Sequence, residues 1–264
     1  MNLKILVIGF LFLSLSIMAT VSEAVKDADI VLYLPFDEGS GNTTKDQSNH
    51  NNDGTLHQVQ WAEGKYGKSV EFSGAAGGWV EVPDSPSLDI TEQITLMAWV
   101  YPTQFTNEWF RIVNKCWAGD TTPWMVYGFY EQAGTMGRIG FTIAVDGGQE
   151  KLCRSGTTPQ LPTNEWSHIA ATYDGQMMRL YQNGVEVLSA AHTGTIDTND
   201  VPVAIGRNSE GNREHYIGRV DEVVIWKTAL DASEINLSMD TPAAVEPGGK
   251  LPVRWGHLKE RRIN

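Results

Sequence analysis

Positive charge is scarce in this chain: 20 Lys and Arg stand against 32 Asp and Glu, for a net charge of −12. Such a balance argues against nucleic acid as a partner, since neutralising phosphates requires basic patches, and is compatible with cation binding. Cysteine is scarcer still. Cys116 and Cys153 are the only two, and their spacing fits neither a Cys-x-x-Cys redox pair nor a Cys-rich zinc site. Beyond the N-terminus no apolar run reaches the ~20 residues that a spanning helix needs, so no membrane span is expected there. Helical periodicity is nearly missing as well, which argues against alternating βαβ units.

Residues 1–24 have the layout of a secretory signal peptide: Lys4, an apolar run from Ile5 to Met18, and Ser22-x-Ala24 as a small-residue cleavage site. The expectation is a secreted or cell-surface protein, in which an even pair of cysteines can be bridged. Cys116–Cys153 is therefore a candidate disulfide, with two buried free thiols as the alternative. Residues 241–264 change in composition. Pro242, Pro247, Gly248, Gly249 and Pro252 form a linker to a tail with five basic and two acidic residues. That leaves 25–240 as one domain, a length that suits a large all-β fold.

Within the domain, short alternating runs are punctuated by Gly, Asn, Asp and Pro. From Trp166 to Tyr173 side chains alternate at period two, Asp174-Gly175 turns the chain, Met178–Gln182 extends again, and Asn183-Gly184 supplies the two positive-φ residues of a type I′ hairpin. Further strands are predicted over 29–36, 79–83, 94–102, 111–115, 125–131, 138–145, 151–155, 201–206, 216–218 and 219–226. Both alternating sets of Ile94–Pro102 contain apolar residues, so that strand should be buried on both faces. Asp231-Ala232-Ser233-Glu234 reads as a capping box for one short helix. Strands at this spacing predict an all-β, two-sheet antiparallel sandwich.

Several motifs carry a family resemblance: W-x-H-I-A-x-T-Y-D-G from Trp166, R-L-Y-x-N-G from Arg179, I-G-R at 205–207 and R-V-D-E-V-x-I-W from Arg219, joined by W-A-E-G-K-Y-G-K-S-V-E-F from Trp61. Together they resemble a laminin-G-like jelly roll of the concanavalin A-like lectin/glucanase superfold, over roughly residues 29–240. The resemblance implies that the terminal strands lie side by side and hold a structural calcium ion. F-D-E-G-S-G from Phe36, D-x-S-x-x-x-N-D-G-T from Asp46 and V-D-E-V from Val220 would then supply Asp37, Asp46, Asn52 and Asp221 as oxygen ligands. At Asn49-His50-Asn51 the chain departs from the glycine-rich stretch usual in that family. The alternative is that these carboxylates cap turns.

Because the superfold hosts lectins, adhesion modules and glycosidases, activity has to be read from residues. No E-x-D-x-x-E run places two carboxylates on one strand face, and the acidic i,i+2 pair Asp27-x-Asp29 sits at the start of the domain. His57, His168, His192 and His215 lack a recognisable nucleophile motif, and His168 reads as a structural strand residue. Nine Trp are many. Trp99, Trp166 and Trp226 fall in strands and are expected in the core, whereas Trp109, Trp117 and Trp124 fall in or beside loops. With Arg207, Asn208, Asn212 and Arg213 they are the candidate ligand-binding residues. The sequence thus points to a non-catalytic module binding extracellular glycans or proteins, with a carbohydrate-active hydrolase or a purely structural surface module as alternatives.

Overall fold

The computed structural model describes residues 29–240 apart from 75–77, 107, 118, 120–121, 132–133 and 155; the expected signal peptide (1–24) and the Pro/Gly linker with its basic tail (241–264) lie outside the described residues. The first strands are β1 (Ile30–Leu34), β2 (Thr43–Thr44), β3 (Gly54–His57), β4 (Gln60–Glu63), β5 (Lys68–Ser73) and β6 (Trp79–Val82). The middle ones are β7 (Ile94–Pro102), β8 (Phe110–Cys116), β9 (Met125–Glu131), β10 (Ile139–Val145) and β11 (Gln149–Cys153). The last are β12 (Ser167–Tyr173), β13 (Met177–Gln182), β14 (Val185–Ala191), β15 (Val203–Ile205) and β16 (Ile217–Trp226), and helix α1 (Ala232–Asp240) follows.

Two antiparallel sheets result. The first runs β14-β13-β12-β7-β16-β5-β4, with β1 also paired to β16; the second runs β11-β10-β9-β8-β15-β6-β3-β2. Their facing sides interlock Leu34, Val70, Leu96, Val100, Ile169 and Val220 of the first with Ile112, Phe129, Phe141, Val203 and Val80 of the second. At roughly 25 cal/mol per Å² of apolar area this burial is the main stabilising term. The Asn183-Gly184 hairpin forms as expected, with φ of 50° and 76°.

The expected break between 216–218 and 219–226 is instead one strand with a bulge. Glu222, at φ 51°, is the extra residue, and the register of β16 on β7 shifts between Asp221 and Val224. The bulge marks a change of neighbour: Ile217–Val220 pair with β5, and Val223–Trp226 pair with β1. The two ends of the domain therefore meet on one strand.

Helix α1 is capped as its sequence predicts. Asp231 Oδ1 accepts the Glu234 N–H at 2.9 Å and Glu234 Oε2 accepts the Asp231 N–H at 2.8 Å. Its Ile235 packs on the side of the first sheet turned away from the core, with Tyr33, Met97, Ala170, Tyr181, Val224 and Trp226. That second apolar layer is why β7 is buried on both faces. His168 belongs to it too; burial pushes its imidazole down to about 3 and it meets Trp99 edge-on, so it is neutral and structural.

The expected Cys116–Cys153 disulfide is not formed: both are buried free thiols. Cys153 belongs to the core between the sheets, whereas Cys116 packs with Met125 and Tyr130 in a separate cluster. They also lie three strands apart in the second sheet, about 14 Å at the usual strand spacing, too far to bridge.

One carboxyl of β9 is buried at a cost. Glu131 is fully buried, and its Oε1 accepts the Gly137 N–H. Desolvation pushes its pKa up to about 7. The folded state thus binds this proton more tightly than the unfolded chain, so the contribution is present below about pH 4 and is lost as pH rises to about 7. Glu131→Gln is expected to shrink the fall in unfolding free energy between those pH values, as read by urea denaturation; an unchanged slope would contradict the assignment.

Candidate ligand-binding face

The outer side of the second sheet, turned away from the core, is where alternation sends polar and aromatic groups. On β8 and β9 the core takes Phe110, Ile112, Tyr127 and Phe129, and Arg111 and Tyr130, one residue out of phase, face outward; past register shifts in the β8–β9 pairing, Cys116 and Met125 join Tyr130 in a separate cluster. The 206–216 connection between β15 and β16 then runs along β8. Gly206 N–H donates to the Ile112 carbonyl at 2.8 Å, Arg111 N–H to the Glu214 carbonyl at 2.9 Å, and Cys116 N–H to Ser209 Oγ at 3.2 Å.

Beneath this loop lies a buried polar network. Arg111, 3% exposed, donates from Nε to Glu214 Oε2 at 2.9 Å, and the Asn208 amide donates to the same oxygen at 2.9 Å. Asn208 Oδ1 accepts the Glu210 N–H at 2.9 Å and the Cys116 thiol at 3.3 Å. Asn114 holds the Ala204 and Arg207 carbonyls at 3.1 and 2.8 Å. Glu210 Oε1 accepts the Gly119 N–H at 3.0 Å, tying the 117–124 loop to the 206–216 loop.

At one flank Trp109, 36% exposed, stacks on Tyr130 with centroids 5.8 Å apart and planes 25° apart, and the Arg111 guanidinium sits 5.6 Å from the Tyr130 ring. Burial pushes the Tyr130 phenol up to about 12 against the pull of the neighbouring Arg154. At the other flank the Arg207 guanidinium lies 4.1 Å over Trp79, which stacks on His57 at 5.1 Å; His57 Nε2 meets Glu81 at 3.0 Å. Rings and charged groups therefore stand on both sides of one rigid loop.

The structure brings together most of the sequence candidates. Arg207, Asn208, Asn212 and Arg213 share the loop; Asn212 Oδ1 accepts from Arg207 at 3.4 Å. Trp109 stands at its flank and Trp124 is 43% exposed. Trp117 differs from the expectation, since its side chain is partly buried against the core, while its backbone N–H donates to the Trp124 carbonyl at 3.2 Å. Arg111, Tyr130, Glu214, Trp79 and His57 were missed. Their signal was available for Arg111 and Tyr130, which fall in the phase opposite to the core residues of their strands.

The expected calcium ligands divide into two places. Asp37 Oδ1 accepts the Lys68 N–H at 2.9 Å, and Asp221 Oδ2 accepts the Lys65 and Tyr66 N–H groups at 2.8 and 3.1 Å. Both hold the turn between β4 and β5, at the point where β16 passes from β5 to β1. Asp221 is fully buried, and desolvation together with nearby Asp37 pushes it up to about 7; Glu222 beside it is pushed up to about 8 by the same burial.

Asp46 and Asn52 instead line the free edge of β1. Asp46 accepts the Tyr33, Ser48 and Asn52 N–H groups at 2.9, 2.9 and 2.8 Å. The Asn52 amide donates to the Val31 carbonyl at 2.7 Å and its oxygen accepts from Ser85 at 2.8 Å. Their side-chain oxygens are thus engaged in holding the loop. Among the described residues no group of three or more His, Cys, Asp or Glu is placed to hold a metal ion.

Removing Glu214 would strand the Arg111 guanidinium in a buried site, at a cost of about 3–5 kcal/mol. Glu214→Ala is therefore expected to lower the urea midpoint sharply, and a midpoint within error of the parent would refute the network's role.

Several solved structures share this fold. The binding domain of Paraclostridial Mosquitocidal Protein 1 aligns with a TM-score of 0.66 at 19% identity, covering 80% of this chain and 52% of that one. Domain 4 of an extracellular arabinanase from Geobacillus stearothermophilus, in complex with arabinotriose, aligns at 0.60 and 20% identity, covering 79% and 97%. The ligand binding domain of Botulinum neurotoxin serotype D, in complex with N-acetylneuraminic acid, aligns at 0.63 and 17%, covering 82% and 52%. Among sequences, pappalysin-1 of Mus musculus and of Homo sapiens are 30% and 31% identical over 128 residues, which is 46% of this chain and 8% of theirs. A laminin G family profile described as the concanavalin A-like lectin/glucanases superfamily matches residues 73–236, well over half of the chain, and the chain belongs to that family.

Proposed function

We propose that this domain is a secreted, non-catalytic module that binds extracellular glycans on the outer side of its second sheet. The observation that carries the reading is Trp109, exposed and stacked on Tyr130, with Arg111 held behind it by Glu214. A half-exposed indole presents an apolar face of the kind that C–H faces of a sugar ring cover, and the neighbouring loop offers amide and guanidinium groups to its hydroxyls. Support also comes from the arabinanase and neurotoxin domains, whose structures contain a saccharide or a sialic acid. A glycan array probed with the parent and with Trp109→Ala is the test. Selective glycan signals that fall about tenfold in the variant, near the ~1.4 kcal/mol of one aromatic contact, are expected. Parent signals equal to the variant's, or none above background, would overturn the proposal.

Calcium enters this proposal through Asp37 and Asp221 only. What supports it is an acidic pair at one turn with which, among the described residues, no cationic side chain forms an ion pair. Binding at a hundredfold excess over Kd would add about 2.7 kcal/mol, or roughly 5–10 °C in Tm for a domain of this size. A Tm indifferent to calcium and to chelator would remove the ion from the reading.

A further inference from the structure

The first sheet carries a row that is left partly exposed among the described residues and that the Trp109 face does not use. Register places Tyr101 of β7 opposite Arg219 of β16, Arg219 opposite Glu71 of β5, and Glu71 opposite Gln60 of β4. On the other side Ser167 pairs with Val100, so Trp166, one residue earlier, stands beside Tyr101. The neighbours Val100, Val220 and Val70 point into the core, and directly opposed residues share a face. Trp166, Tyr101, Arg219, Glu71 and Gln60 therefore form one line across five strands on the outer side, about 19 Å long at the usual strand spacing.

Covering elsewhere on this side makes the row distinctive. The adjacent row, with Trp99 and His168, is buried; the Met239 carbonyl of α1 accepts from Trp99 Nε1 at 3.4 Å and from Tyr66 Oη at 3.3 Å. By contrast Tyr101 and Trp166 are half-exposed, and the Arg219 and Glu71 side chains retain 30% and 38% of their exposure. This corrects the expectation that Trp166 is a core residue.

The row is also ordered by its own contacts. The Tyr101 and Trp166 rings lie 5.4 Å apart and tilted by 57°, the Arg219 guanidinium is 5.2 Å from the Tyr101 ring, and its Nε is 3.7 Å from Glu71. Tyr101, Arg219, Glu71 and Gln60 stand on strands and Trp166 immediately precedes one, so their spacing is set chiefly by the sheet.

From this geometry we infer that the Trp166–Tyr101–Arg219–Glu71–Gln60 row is a second saccharide site, taking a neutral oligosaccharide laid across the strands. Two ring faces supply the apolar contact for C–H faces. Arg219, Glu71 and Gln60 supply donors and acceptors for hydroxyls, and the opposite charges of Arg219 and Glu71 offset one another, which fits an uncharged ligand. An apolar partner would desolvate that pair without satisfying it. The inference does not rest on the Trp109 face, and it makes the module bivalent, so that a surface presenting many chains would be held more tightly than a single soluble one.

The test uses calorimetric titration of cellohexaose, xylohexaose and an arabinan hexasaccharide into the Trp109→Ala protein, in which the first face is weakened about tenfold. At least one of the three is expected to bind still, and Tyr101→Ala or Trp166→Ala in that background should weaken it about tenfold or more. Arg219→Gln is the substitute where Tyr101→Ala proves unfolded by circular dichroism. If none of the three sugars binds the Trp109→Ala protein, or if residual binding is unchanged by folded row variants, the inference is overturned. The Trp109 proposal is judged separately, by the difference between the parent and Trp109→Ala on the array.

Discussion

Strand β16 holds the molecule together because two different strands share one of its edges. Its first half hydrogen-bonds β5 and its second half β1, while β7 runs along the other edge. Every backbone N–H and C=O buried there has to be paired, so the transfer between partners needs a local break, and the bulge at Asp221–Glu222 supplies it. The carboxylate of Asp221 then answers the N–H groups of the turn that ends β4 and begins β5. Asp37, just beyond the end of β1, answers the Lys68 N–H. Closure of the chain ends, the position of the acidic pair and the direction of β5 are thus consequences of one strand changing neighbours.

The two sheets dispose of their outer sides differently. The first hides most of its outer side under a helix and an apolar layer around Tyr33 and Trp226. The second covers its own with irregular loops, which cannot satisfy their backbone by regular pairing and so recruit side chains: Asn114, Asn208, Glu214 and Arg111 hold carbonyls, N–H groups and each other. A loop fixed this way behaves as a rigid wall. Side chains on its rim, such as Trp109, then meet a ligand with little ordering entropy left to lose.

Much of the sandwich could be read from period-two alternation and turn residues. Met125–Glu131 and Ile94–Pro102 coincide with observed strands, and the capping box at Asp231 places the helix start. The bulge was hidden, because Val220 to Val224 is apolar enough in either phase to read as continuous strand. The two-residue β2 carries too few residues for a pattern. For the site, composition pointed to the 206–216 loop, since Arg and Asn in a turn-rich stretch have few structural reasons to cluster. It did not point to Arg111 or Tyr130, whose roles depend on a loop arriving from about a hundred residues later, nor to the half-exposed side of Trp166, which depends on where α1 stops covering the sheet. Asp46 and Asn52 matched a ligand motif, yet the same oxygens serve equally well as partners for the unpaired edge of β1.

The two thiols have a practical consequence. Each is enclosed, and burial pushes both upward, Cys153 to about 12, so almost no thiolate forms at neutral pH and alkylating reagents find nothing to attack. One thiol is sealed by the contact between the sheets and the other by the covering of loops. Their separate rates of modification would report, without any added label, whether the loops peel away before the sandwich itself comes apart.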